Sequence, residues 1–176
     1  LTFSQWIYIT SVEMSRGDTK KIGELFCGAG GFAEGAKQAG FSHIWGNDDH
    51  EDSCKTFKKN QKCPVFATGV NKFTRKKNLE KIKSEYGNID GLLFGFPCND
   101  FSLVGKKKGF NGRFGGLYKY ACKVLKFYKP NFFLAENVSN LGTQNIKSEI
   151  NRNFKKILFD FKKLGYGIKL KKIKFE

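Results

Sequence analysis

"KIGELFCGAGGFAEGAKQAG", residues 21–40, decides the fold class, because it reads as a strand, a glycine turn and a helix in immediate succession. The apolar residues 22–27 predict the strand, and the glycines that follow predict a tight turn. The composition of residues 32–40 favours a helix that stops at Gly40. Such an opening is typical of nucleotide-binding α/β units.

The alternation of strand and helix continues along the chain. Apolar runs predict strands at residues 41–48, 63–70, 89–96 and 130–137, and helical patterns predict helices at 51–60, 79–87, 117–129 and 144–164. In residues 166–175 apolar and polar side chains alternate with period two, which predicts a strand with one solvent-exposed face. Strands alternating with helices predict an α/β, Rossmann-like, doubly wound and mostly parallel sheet with helices on both faces.

Length, composition and net charge limit the class of protein. A chain of 176 residues with 40% hydrophobic content fits one domain, and its formal charge of +16 favours nucleic acid as partner, although codon bias in an AT-rich genome would enrich lysine as well. Five cysteines without a C-x-x-C pair indicate reduced, cytoplasmic thiols and no metal site. No apolar stretch reaches the roughly 18 residues of a membrane span, and no signal sequence is recognisable.

The residues before the first motif stand apart. The only methionine is Met14, and residues 1–13 fit none of the later motifs, so we expect an upstream extension or an irregular docking arm. We therefore divide the chain into an N-terminal extension, residues 1–20, and one domain, residues 21–176.

Chemistry-bearing residues follow the predicted strands. In a doubly wound sheet ligands bind beyond the carboxyl ends of the strands, and an acid about 20 residues after a glycine turn can bind ribose hydroxyls. Asp48 stands at that distance from "FCGAGG". The pattern indicates a nucleoside cofactor, with nicotinamide, adenosylmethionine and a merely structural turn all open at this point.

"GFPCNDFS", residues 95–102, places a thiol at a strand end. A lone cysteine is most often buried and inert. Cys98, however, follows a proline that fixes the backbone, and it shares the predicted edge with Glu136, near the end of "FFLAEN". A carboxylate at the end of a buried strand is costly unless it pairs or carries a proton. A working thiol is therefore the better interpretation.

Four motifs together resemble a known family. "ELFCGAGGFAEGAKQAGF", "GNDDH", "GFPCNDFSLVGKKKGF" and "ENVSNL", in this order and at this spacing, are similar to the successive motifs of the cytosine-C5 DNA methyltransferases, the bacterial modification methylases. The resemblance runs from about residue 21 to residue 166. It implies S-adenosyl-L-methionine as cofactor, the fold of class I adenosylmethionine-dependent methyltransferases and methylation of a cytosine flipped out of duplex DNA.

The resemblance also implies roles for individual residues. The catalytic residues would be Cys98 as nucleophile, Glu136 on the pyrimidine edge, and Asn137. The residues implied to line the cofactor site are Phe26, Gly28, Gly30, Gly31, Asp48, Val70, Pro97 and Leu117. Departures from the family pattern are Asp49 and Gly69 near the adenine, and Asn99 and Asp100 after the cysteine.

The long connection of residues 99–116, rich in glycine and lysine, is the expected closing loop, with plain disorder as the alternative. The residues that would contact DNA are Ser102, Lys106, Lys107, Lys108 and Arg113. A solvated lysine cluster is an equally good account of the three lysines.

The end of the chain departs most from the family. Family members continue into an arginine motif, a target-recognition region and a closing helix, so the chain is expected to be part of a longer protein, one subunit of a split enzyme or a remnant. A downstream segment or second chain would then supply target recognition. The functions considered are a DNA cytosine-C5 methyltransferase of a restriction-modification system, an inactive DNA-binding remnant, an RNA cytosine methyltransferase, and a nicotinamide-dependent dehydrogenase, which leaves Cys98 and Glu136 unexplained.

Overall fold

The structure, a computed structural model, describes residues 4–9, 19–96, 116–138 and 149–174. The strands in these ranges are β1 Ser4–Ile9, β2 Lys21–Leu25, β3 Ser42–Asp48, β4 Val65–Ala67, β5 Gly91–Gly95, β6 Phe132–Val138 and β7 Lys169–Lys174. The helices are α1 Gly31–Gln38, α2 Glu51–Asn60, α3 Val70–Phe73, α4 Lys76–Tyr86, α5 Tyr118–Tyr128 and α6 Glu149–Lys163. None of these helices is long and apolar enough to cross a membrane.

All seven strands form one sheet in the order β4-β3-β2-β5-β6-β1-β7. The strands β4, β3, β2, β5 and β6 are parallel to one another. Among these five parallel strands, chain order runs outward in both directions from the β2–β5 pair, which is the topological switch point of a doubly wound sheet. The predicted fold class, a mostly parallel Rossmann-like sheet, is confirmed.

Two apolar clusters hold the helices against the sheet. In the larger cluster, Phe161 of α6 lies with ring centroids 5.8 Å from Phe94 and 4.9 Å from Phe133, and Tyr118 of α5 lies edge-on to it at 6.2 Å. The smaller cluster joins Ala33 of α1, Phe57 of α2 and Cys27. Each buried aromatic ring contributes on the order of 2 kcal/mol through the apolar area it removes from water.

Most predicted elements are present, with different bounds near β4. The expected strand over residues 63–70 ends at Ala67, and Val70 begins the short helix α3 instead of closing the strand. The turn at Thr74 explains the difference, because its amide and its hydroxyl both donate to the Val70 carbonyl, at 2.9 and 2.8 Å, and so close a helical turn there. The helix expected from residue 79 starts at Lys76, and residues 144–148 of the last predicted helix lie outside the described ranges.

Residues 4–9, within the predicted N-terminal extension, form the regular strand β1. It lies between β6 and β7 and is antiparallel to both. The strand next to β6, and hence next to Glu136, therefore comes from a segment that the sequence motifs did not cover.

Candidate active site

The register of the parallel strands brings the predicted site residues into one row. Four neighbouring strands are in register here: Leu25 pairs with Asn47 on one side and with Phe94 on the other, and Phe94 pairs with Ala135. One residue further toward the carboxyl edge lie Asp48, Phe26, Gly95 and Glu136. Because neighbouring strands lie about 4.8 Å apart, the two ends of this row, Asp48 and Glu136, are separated by roughly 14 Å.

The glycine turn opens the edge at the end of β2. Phe26, Gly28 and Gly30 have φ values of 56°, 51° and 99°, so the chain passes three times through the left-handed region that favours glycine. Gly30 caps α1, and no side chain of the described residues bonds to the amides of that first turn. A Cβ placed on Gly28 or Gly31 would meet no atom of the described residues within 4 Å. The turn thus presents bare main chain and free space to a ligand.

Asp48 is held in place by main-chain donors on both of its oxygens. The amide of Gly28 donates to Oδ2 and the amide of His50 donates to Oδ1, each at 2.9 Å. A carboxylate has about four acceptor positions, so two remain for a ligand. The side chain is partly buried and sits beside the glycine turn. The remaining acceptor positions suit the hydroxyls of a ribose, which would donate to them.

Glu136 lies at the other end of the row, on β6. Its side chain is half-buried, and burial raises the pKa of its carboxyl above the ordinary value of 4.5. A Cβ on its strand partner Gly95 would lie 3.0 Å from Oε2 of Glu136. The absence of a side chain at residue 95 therefore leaves room for the carboxyl, which explains the glycine of "GFPC".

Asn137, predicted as a catalytic residue, makes a buried connection between two strands. Its Nδ2 donates to the carbonyl of Phe96 at 2.9 Å, and the two residues are 1% and 3% exposed. Phe96 immediately precedes Pro97 and Cys98 in the sequence. This hydrogen bond fixes the end of β5 at the point where the chain continues to the predicted nucleophile.

The thiols within the described ranges contrast with the role predicted for Cys98. Burial raises the pKa of Cys63 to about 11 and that of Cys122 to about 12. Burial also raises the pKa values of Cys27 and Cys54. Neutral buried thiols are poor nucleophiles. The raised pKa values therefore keep all four thiols neutral, those of the buried Cys27 and Cys54 as well as those of the partly buried Cys63 and Cys122.

The remaining predicted site residues divide into two sets. Val70, 9% exposed, belongs to the larger core cluster, and Leu117 packs against that cluster from the start of α5. The predicted residues that lie outside the described ranges are Pro97, Cys98, Ser102, Lys106, Lys107, Lys108 and Arg113. Among the residues that the structure does describe, no group of three or more His, Cys, Asp or Glu is placed to hold a metal ion.

Sequence reasoning missed Asn47. This fully buried amide donates from Nδ2 to the carbonyls of Phe66 and Thr68, at 2.9 and 2.8 Å, and so ties the end of β3 to the end of β4. It thereby fixes the strand end that carries Asp48. The available signal was an amide that follows the apolar part of the strand, directly before the predicted ribose ligand.

Gly95 offers a test of the site that leaves the fold intact. For the methyl transfer that the sequence resemblance implies, Gly95→Ala should lower the rate about tenfold, because the new Cβ displaces the flexible carboxyl of Glu136. Folding stability should stay equal or rise by up to about 1 kcal/mol, since alanine suits a strand interior better than glycine. The control is Gly35→Ala on α1, where a Cβ meets nothing within 4 Å. Equal activity of the two variants would contradict the role of Gly95.

The family is settled by comparison with known proteins. The model of the C-5 cytosine-specific DNA methylases matches residues 20–175. This chain belongs to that family. The type II methyltransferase M.BbvI of Brevibacillus brevis is 42% identical over 161 residues, which cover 84% of this chain and 42% of the relative. M.NgoFVII of Neisseria gonorrhoeae is 36% identical over 157 residues, covering 88% of this chain and 38% of the relative.

Solved structures agree on the fold of this methylase family member. A prophage-encoded Escherichia coli protein assigned as a DNA modification methyltransferase superposes with a TM-score of 0.60 at 24% identity, covering 80% of this chain and 38% of that one. A triple mutant of DNMT2 from Spodoptera frugiperda gives 0.55 at 22% identity, covering 81% of this chain and 41% of that one. The chain thus spans about two fifths of the length of the proteins it matches.

Proposed function

We propose that the protein to which this chain belongs transfers a methyl group from S-adenosyl-L-methionine to carbon 5 of a flipped-out cytosine in duplex DNA, as the modification enzyme of a restriction-modification system. The observation that carries the proposal is the row of Asp48, Phe26, Gly95 and Glu136 along one sheet edge in a member of the cytosine-specific methylase family. A nucleoside ligand and a pyrimidine would then occupy opposite ends of that row.

The residues at the first end suit adenosylmethionine, which supplies an electrophilic methyl group when bound. The anchored carboxylate of Asp48 would accept bonds from the ribose hydroxyls. The first-turn amides of α1, which no described side chain caps, would receive the carboxylate of the amino-acid part. Phe26, Pro97 and Leu117 would add apolar contacts.

The second end suits a cytosine. Glu136 would hydrogen-bond N3 and the exocyclic amine, and the bond to N3 requires a proton on the carboxyl. Burial favours that protonated form because it raises the pKa of Glu136. Asn137 would keep the neighbouring strand end in register through its bond to the Phe96 carbonyl. Both residues would act on β6, directly beside the segment that leads to Cys98.

Cys98 would supply the nucleophile. Carbon 5 of cytosine is a poor nucleophile until the Cys98 thiolate adds to carbon 6, which breaks the aromatic system and places electron density on carbon 5. After carbon 5 takes the methyl group, it loses its proton, the carbon 5 to carbon 6 double bond re-forms, and the thiolate of Cys98 leaves. A stacked base cannot reach such a pocket, so the cytosine must leave the duplex.

The charge of the chain supports DNA as the substrate. A formal charge of +16 on 176 residues attracts a polyanion and releases its counterions on binding. Ser102, Lys106, Lys107, Lys108 and Arg113 would contact phosphates from the connection that follows Cys98. Binding that weakens steeply with salt is the expected signature.

A second candidate function follows from length. Because the chain spans about two fifths of its relatives, it fits equally a portion or subunit that binds cofactor or DNA and needs a further segment for activity. The experiment compares this chain alone with the chain fused to the C-terminal remainder of M.BbvI, using labelled adenosylmethionine. If only the fusion transfers label to duplex DNA, this chain needs a further segment for activity. If label appears in transfer RNA and not in DNA, the substrate is RNA.

Cofactor binding can be tested on this chain without catalysis. We expect Asp48→Ala to weaken adenosylmethionine binding about 10- to 100-fold, the effect of losing charge-assisted hydrogen bonds. Isothermal titration calorimetry measures it, with Asp52→Ala as the control because Asp52 is an exposed carboxylate on α2. Equal dissociation constants for the two variants would remove Asp48 from the proposed site.

A further inference from the structure

The strand next to Glu136 comes from outside the family-matching part of the chain. The family model matches residues 20–175, which include β6 and β7, whereas β1 is residues 4–9. Even so, β1 lies inside the sheet, with β6 on one side and β7 on the other. A segment that the family model does not cover therefore fills a position between two strands that it does cover.

β1 has a defined direction and register between β6 and β7. Gln5–Ile9 pairs with residues 134–138 of β6, and Ser4–Ile9 pairs with β7, both antiparallel. Within the described residues β7 has no other strand partner. Without an occupant, β6 and β7 would each present an unpaired edge of amides and carbonyls, and unpaired main-chain groups beside a core are costly.

We propose that the slot between β6 and β7 is a strand-binding site, and that the occupant, the segment of residues 4–9, binds there as a separable strand. A single connection, residues 10–20, joins β1 to the domain. Main-chain pairing on two edges supplies the affinity, as in other proteins that accept an added strand. The attachment of β1 therefore depends on hydrogen bonds more than on the covalent link.

The composition of the two outer strands fits this occupant. β7 reads "KLKKIK" and carries four lysines, whereas β1 reads "SQWIYI" and carries no charge. Ser4, Trp6 and Ile7 pair with Lys174, Lys172 and Lys171. Like charges directly opposite one another destabilise a strand pair, so the slot selects against basic strands. Tryptophan, tyrosine and isoleucine are also among the residues that favour strands.

The test uses the full chain with a specific protease site inserted between Gly17 and Asp18. After cleavage we expect the N-terminal fragment to co-elute with the domain in gel filtration and the amides of β7 to keep their slow hydrogen exchange. A labelled peptide of residues 2–11, TFSQWIYITS, should then exchange into the slot in a saturable way. Release of the fragment with β7 still protected would overturn the proposal.

A proline variant provides the matched control. Ile7→Pro removes an amide and is incompatible with a strand paired on both sides, whereas Thr2→Pro changes a position before β1. In the uncut full chain, Ile7→Pro should speed exchange of the β7 amides at least about tenfold and Thr2→Pro should leave it unchanged. The peptide with Ile7→Pro should not bind. Equal protection in the two variants, or equal binding of the two peptides, contradicts the strand site. These readouts are independent of methyl transfer.

Discussion

Replacing Cys98 with alanine should abolish methyl transfer by the complete enzyme, a drop of at least about 10⁴-fold in kcat, while cofactor binding stays within about twofold. The reason is that no other group can activate carbon 5 of cytosine once the thiolate is removed, and losing a covalent nucleophile is among the largest single-residue effects known in enzymes. Transfer of labelled methyl groups to duplex DNA measures the first effect, and calorimetric titration with adenosylmethionine measures the second.

A trapping experiment makes this prediction specific for the covalent step. DNA containing 5-fluorocytosine should form a denaturation-resistant complex with the unmodified enzyme, because fluorine replaces the proton that must leave carbon 5, and Cys98→Ala should form none. The matched control is Cys63→Ala, since Cys63 is a half-buried thiol whose pKa burial raises to about 11. Trapping that persists in Cys98→Ala, or is lost in Cys63→Ala, would assign the nucleophile elsewhere.

The second large effect is expected for Glu136→Gln, which should lower kcat/KM about 10²- to 10³-fold, or roughly 3–4 kcal/mol of transition-state stabilisation. Glutamine keeps the size of the side chain but cannot share a proton with N3 of the base. Steady-state kinetics on duplex DNA measures the loss. Glu80→Gln on α4, an exposed carboxylate, is the control and should leave kcat/KM unchanged. Near-normal turnover by Glu136→Gln would exclude the acid role.

The pH dependence of kcat/KM should differ between the unmodified enzyme and Glu136→Gln. Because burial raises the pKa of Glu136, the protonated form persists above pH 4.5, and the contribution of this group should fall as pH rises through the raised pKa. Glu136→Gln should lack that decline and keep only the rising limb that reflects formation of the Cys98 thiolate. A decline of the same midpoint in both enzymes would place the titrating group elsewhere.

Much of the site could be predicted from local sequence because the carboxyl ends of parallel strands meet at one edge. The strand, turn and helix around Gly28 and the strand that carries Glu136 could be predicted from apolar runs and from the glycines and prolines that bound them. Asp48 followed from its distance to the turn, and its bond to the Gly28 amide fits that placement. These predictions depended on short-range patterns that survive folding unchanged.

The features that sequence reasoning missed depend on register and on distant neighbours. The fit of Gly95 against Glu136 exists only because these two residues are paired across β5 and β6. The position of β1 depends on an opening between strands more than 120 residues further along the chain. Val70 was assigned to a strand because a short apolar run does not distinguish a strand from one turn of helix. No local pattern encodes such relations.

The row from Asp48 to Glu136 can form only late in the translation of the chain. Its four positions come from segments that leave the ribosome at well separated times, and the last to emerge lies on β6. Long-range parallel pairing is slow compared with helix formation. During translation, a nascent chain that has already formed its glycine turn therefore has only one end of the proposed site, and the two ends meet only when β6 joins β5.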